Sequence, residues 1–155
     1  MAKAQDIPGL DGRMSFREAA RAAVSVRAEE VFQHAEGVLD TEDVERVHDM
    51  RVATRRLRAV LEVFEKAFDR AAYRDVIADV KALADALGAR RDPDVQLAAL
   101  ATLKESLPPE DQPGLDVFAA RLSTEQAEGN RVLAEALSTM DAHGLRERLR
   151  ALVAA

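Results

Sequence analysis

A cluster of arginines in the segment RVHDMRVATRRLR (residues 46–58) is the part of this sequence best suited to bind a ligand. The segment holds five arginines against one acid, Asp49, which gives it a local net charge of +4. Four basic residues fall three or four positions apart and share one face when the segment is helical: His48, Arg51, Arg55 and Arg58. Guanidinium groups form paired hydrogen bonds with phosphate or carboxylate oxygens. The spacing therefore predicts an anion-binding face.

The anion that meets this face can come from more than one source. The chain carries a net charge of −6 overall, and residues 104–141 hold eight acids against three basic residues. One interpretation is a module that binds a polyanion. The alternative is a structural, oligomerising helical bundle whose arginines pair with carboxylates of a protein partner. A plain solvated face is less favoured, because Glu62 is the one acid within reach on this stripe. Nucleic acid is disfavoured by the acidic net charge and by the lack of stacking aromatics nearby.

Several classes of protein are excluded or disfavoured by composition. There is no cysteine, so disulfides and thiolate chemistry are impossible. No apolar run approaches the roughly 20 residues of a membrane span, and the polar N-terminus does not resemble a signal peptide. We therefore expect a cytoplasmic protein. The arginines beside His48 would repel a metal ion, and no pattern of catalytic residues is present. The sequence thus predicts neither metal, cofactor nor enzymatic activity.

The hydrophobic pattern predicts an all-α fold, a bundle of long antiparallel helices with four main helices and shorter ones. Residues 1–14 are expected to form a flexible leader, and residues 15–155 a single helical domain. The second helix is expected to begin at an N-cap at residues 40–41 and to end near Phe68. A third helix is expected to end at Gly88. Asp92 and Pro93 then have the residue types of an N-cap and a first helical position, which predicts that a fourth helix begins there.

Two segments resemble a known family. HDMRVATRRLRAVLEVF (residues 48–64) is similar to the signature helix of the CHAD domain, the conserved histidine α-helical domain. LGARRDPDV (residues 87–95) resembles the second hallmark of that family, the pattern L-G-x-x-R-D-x-D-V. The resemblance implies an all-helical fold that binds inorganic polyphosphate through a basic surface. It also implies a protein that is found near polyphosphate granules.

The resemblance also implies which side chains bind polyphosphate. The matching basic positions are His48, Arg51, Arg55, Arg56, Arg58, Lys81 and Arg91. Asp92 and Asp94 match the acidic positions of the second hallmark and are expected to support the site, with Asp92 both capping a helix and orienting an arginine. Complete family members usually have two helical halves that face each other across a groove, and this chain resembles the N-terminal half. We therefore expect either that the half domain works alone or that it forms a homodimer.

Overall fold

The computed structural model describes residues 3–155, and helices account for most of this part of the chain. The α-helices are α1 (Phe16–Gln33), α2 (Val44–Val63), α3 (Arg70–Ser106), α4 (Gln112–Ala142) and α5 (Leu145–Ala154). Short 3₁₀ helices at Glu65–Ala67 and Pro109–Asp111 connect α2 to α3 and α3 to α4. No strand occurs in the described residues, so the prediction of an all-α fold is confirmed. Met1 and Ala2, the first residues of the predicted leader, lie outside the described part.

Side chains at the helix ends explain where α1, α2 and α3 begin. Ser15 and Glu18 form a capping box at the start of α1. Asp69 accepts hydrogen bonds from two free N–H groups in the first turn of α3. By contrast, the side chain of Asp40 accepts from the N–H of Glu42 within the preceding loop. Because Asp40 stabilises that turn, α2 begins only at Val44, later than predicted.

The predicted break between a third and a fourth helix is wrong, because α3 runs without interruption through Gly88, Asp92 and Pro93. Asp92 is therefore not a cap. A proline inside a helix costs about 3 kcal/mol, and this cost is offset by packing against α4. At Gly129 of α4 an added Cβ would lie 2.9 Å from the carbonyl oxygen of Ala89. The two backbones approach this closely one turn before the proline, so α3 packs tightly against α4 where the helix continues through Pro93.

Helices α1, α2 and α5, the first half of α3 and the second half of α4 enclose the hydrophobic core. The apolar stripe predicted for α2 forms part of it, with Met50, Ala53, Leu57 and Leu61 all buried. Helices α3 and α4 form an antiparallel hairpin, and no residue of its distal part, 95–121, is fully buried. None of the helices in residues 3–155 is long and apolar enough to span a membrane.

The segment before α1 contacts a buried ion pair. Arg27 donates to Glu30 at 2.6 Å, and both residues are buried on α1. Arg27 also donates to the carbonyl oxygen of Gln5 at 2.7 Å, while the N–H of Gln5 donates to Glu30 at 2.6 Å. Arg27, which falls on the apolar stripe of the sequence, is thus paired inside the protein.

Candidate anion-binding groove

An open groove of about 510 Å³ lies between α2 and α3. Three of the predicted arginines form its α2 wall: Arg51, Arg55 and Arg58. Small and acidic residues form its α3 wall: Ala84, Asp85, Gly88, Ala89 and Asp92. Arg51, Arg55 and Arg58 are four and three positions apart, which brings their guanidinium groups to one side of the groove. The small residues of α3 on the opposite side leave space for a ligand.

The pairing of residues across the groove follows from the register of α2 and α3. Lys81 Nζ lies 3.7 Å from Glu62 Oε1, which fixes one point of contact between these antiparallel helices. Four positions back along α2 from Glu62 is Arg58, and four positions forward along α3 from Lys81 is Asp85. Seven more positions back along α2, from Arg58, is Arg51, and seven more positions forward along α3, from Asp85, is Asp92. This register places Asp85 on the side of Arg58 and Asp92 on the side of Arg51, and all four residues line the groove.

Arg55 occupies the centre of the groove. The same register places it opposite Gly88, where an added Cβ would meet no atom within 4 Å. No carboxylate of the described residues lies within 4 Å of the guanidinium of Arg55, which is exposed to solvent. The centre of the groove thus presents a positive charge to open space.

Charges at the two ends of the groove are only partly compensated. Arg58 Nε donates to Glu62 Oε1 at 2.9 Å. This hydrogen bond, together with the charges of Arg58 and Lys81, holds the pKa of Glu62 below its ordinary value. Across the groove the charges stay apart, since neither Asp85 nor Asp92 has a salt-bridge partner within 4 Å among residues 3–155. An anion can therefore reach the guanidinium groups without breaking an ion pair at Arg51 or Arg55.

The remaining predicted basic residues lie at or beyond the edges of the groove. Lys81 adjoins it through Glu62, whereas Arg56 and Arg91 are half-buried and do not line it. His48 is half-buried next to Glu45 and Asp49, and these three residues place one possible metal-ligand atom each within 4.8 Å of one another. The structure thus brings together three of the seven predicted binding residues, with Lys81 as a neighbour.

Asp94 has a different environment from the one implied by the family pattern. It is buried and pairs with Arg90, which is also buried, so it supports no arginine of the groove. Gln126 donates to Asp94 at 2.6 Å, and Arg90 Nε donates to Asn130 at 3.1 Å. Asn130 in turn donates to the carbonyl oxygen of Leu39 at 3.0 Å. This network joins α3, α4 and the loop before α2.

Sequence reasoning missed Arg90 and Asp85. The i,i+4 spacing of Arg90 and Asp94, with Gln126 and Asn130 four positions apart on α4, is a signal for a polar contact between two helices. Asp85 and Asp92 are seven positions apart, which places them on one face of a continuous helix. That signal was hidden by the helix break predicted between them.

The fold and the groove define a class of protein, a helical bundle with an arginine-lined groove on its surface. The family model of the CHAD domain matches residues 22–155, from within α1 to the end of α5. The chain therefore belongs to the CHAD domain family, as the two sequence segments predict. No curated protein sequence matches the chain.

Proposed function

We propose that this protein is a non-catalytic module that binds inorganic polyphosphate in the groove between α2 and α3. The observation that carries the proposal is the pair Arg51 and Arg55, which line an open groove and have no salt-bridge partner within 4 Å in the described residues. Membership of the CHAD family supports the same ligand. A linear chain of phosphates suits the groove because it offers charge along its whole length without any bulky group.

The length of the arginine wall sets the number of contacts. Arg51 and Arg58 are seven residues apart, or about 10 Å along the helix axis. An extended phosphate chain that lies along this wall meets all three arginines of α2. Contacts of this kind release counterions, so binding is expected to weaken steeply as salt rises.

The test compares the parent protein with the variant Arg51→Ala/Arg55→Ala by titration with long-chain polyphosphate at several salt concentrations. With three phosphate contacts the slope of log K against log salt is about −2, and with one contact about −0.7. A fourfold rise in salt then weakens the parent about 20-fold and the variant about threefold.

A matched control removes the same charge from elsewhere. Arg121→Ala/Arg150→Ala deletes two exposed arginines on α4 and α5, neither of which lines the groove. We expect this variant to keep the affinity and the salt slope of the parent. Equal affinity of all three proteins would refute the groove as the binding site. A change of molecular mass instead of ligand affinity in Arg51→Ala/Arg55→Ala would favour the oligomerising bundle.

We also propose that the protein forms a homodimer in the cytoplasm, at polyphosphate granules. What supports the dimer is the distal part of the α3–α4 hairpin, which leaves several large apolar side chains exposed: Val95, Leu103, Val117 and Phe118. Twofold dimers are the commonest soluble assembly. Two arginine walls repel each other, so we expect the apolar contacts to lie beside the groove and not across it.

A further inference from the structure

The groove has a second charged wall that a simple polyanion site does not need. Asp85 and Asp92 lie opposite the arginines at the two ends of the groove, both are exposed, and neither is paired within 4 Å in residues 3–155. The side chains that line the groove thus carry three positive and two negative charges. A bare chain of phosphates is attracted by one wall and repelled by the other.

The carboxylates do not hold the arginines in place. An aspartate that positions a guanidinium group does so by a direct hydrogen bond, and no such bond joins the two walls in the described residues. Arg58, the arginine opposite Asp85, is instead bonded by Glu62 on its own helix. The aspartates therefore face the space that the ligand fills.

We propose that the groove takes polyphosphate together with its divalent cations, with the phosphates against the arginine wall and the cations against Asp85 and Asp92. This inference rests on the proposed function. Mg²⁺ keeps several waters and is commonly bound by one or two carboxylates together with phosphate oxygens of a ligand. A chain of phosphates that carries Mg²⁺ on one side presents charges of both signs and so matches both walls.

The spacing of the two aspartates implies that the cation arrives with the ligand. Asp85 and Asp92 are seven residues apart, about 10 Å along α3, which is too far for both to ligate one ion at the roughly 2.1 Å distances of Mg²⁺. Each carboxylate then meets a separate ion that phosphate oxygens already hold. The protein alone is expected to bind no Mg²⁺ at this groove.

The test measures polyphosphate affinity with and without millimolar Mg²⁺ at constant ionic strength. The parent should bind at least as tightly in Mg²⁺ as without it. Asp85→Asn/Asp92→Asn should bind bare polyphosphate about threefold more tightly than the parent, because two repelling charges are gone. Mg²⁺ should then weaken binding to this variant severalfold. The ion neutralises part of the phosphate charge, and the variant has no aspartate in the groove to ligate it.

A matched control and two contrary outcomes make the test decisive. Asp75→Asn/Asp141→Asn removes two exposed aspartates outside the groove and should respond to Mg²⁺ as the parent does. An identical Mg²⁺ response in Asp85→Asn/Asp92→Asn and the parent would overturn the inference, even if Arg51→Ala/Arg55→Ala loses affinity as expected. Absence of binding by the parent, with or without Mg²⁺, would overturn the proposed function itself.

Discussion

Replacing Arg90 by methionine tests whether its buried ion pair with Asp94, an acidic residue of the second hallmark segment, stabilises the fold. The side chains of Arg90 and Asp94 are both fully buried. In Arg90→Met, Asp94 keeps Gln126 as a hydrogen-bond donor but loses the opposite charge. Breaking a buried ion pair by removing one partner costs about 3–5 kcal/mol. For a chain of this length, that corresponds to a fall in Tm of about 6–20 °C.

Urea denaturation followed by far-UV circular dichroism measures this cost. Arg121→Met, which removes an exposed arginine, should change the free energy of unfolding by no more than about 0.5 kcal/mol. The double variant Arg90→Met/Asp94→Asn should lose less than the sum of the two single variants, because the charges are coupled. A cost below about 1 kcal/mol for Arg90→Met, or strictly additive costs, would refute the role assigned to the pair.

Three further predictions concern the site, the helix packing and the assembly. Glu62→Gln removes the charge that pairs with Arg58 and Lys81 and should tighten polyphosphate binding. Protonation of Glu62 in the parent has the same effect, so the two affinities should converge as the pH falls through the lowered pKa of Glu62. Affinities that differ equally at all pH values would contradict this. Gly129→Ala should destabilise the fold by about 1–3 kcal/mol in urea denaturation, since the new Cβ would lie 2.9 Å from the Ala89 carbonyl oxygen; an unchanged midpoint would show that α4 can shift. Light scattering at micromolar concentration should give the mass of a dimer, and a monomeric mass with and without polyphosphate would refute it.

The sequence predicts the helical class and the arginine wall well, because both depend on local periodicity. Met50, Leu57 and Leu61 recur at helical spacing and form the core face of α2, while Arg51 and Arg55 share another face of the same helix. Spacing within one helix suffices to place these side chains relative to each other.

The α3 wall of the groove could not be predicted from local signals. Gly88, Asp92 and Pro93 have the residue types of a helix end followed by a helix start. In the folded protein the helix continues through them, and Gly129, forty positions after Ala89, packs closely against this stretch. Asp85 faces Arg58 only because of the register between α2 and α3, which tertiary packing determines. The chemistry of the opposite wall is therefore a property of the folded protein.

The most direct test of the groove observes the arginine side chains themselves. In a sample with ¹⁵N-labelled arginine, the side-chain Nε–Hε resonances can be followed by NMR during titration with polyphosphate. The resonances of Arg51 and Arg55 should shift and saturate, whereas those of Arg121 and Arg150 should stay where they are. Unmoved Arg51 and Arg55 resonances in the presence of bound polyphosphate would contradict the assignment of the site.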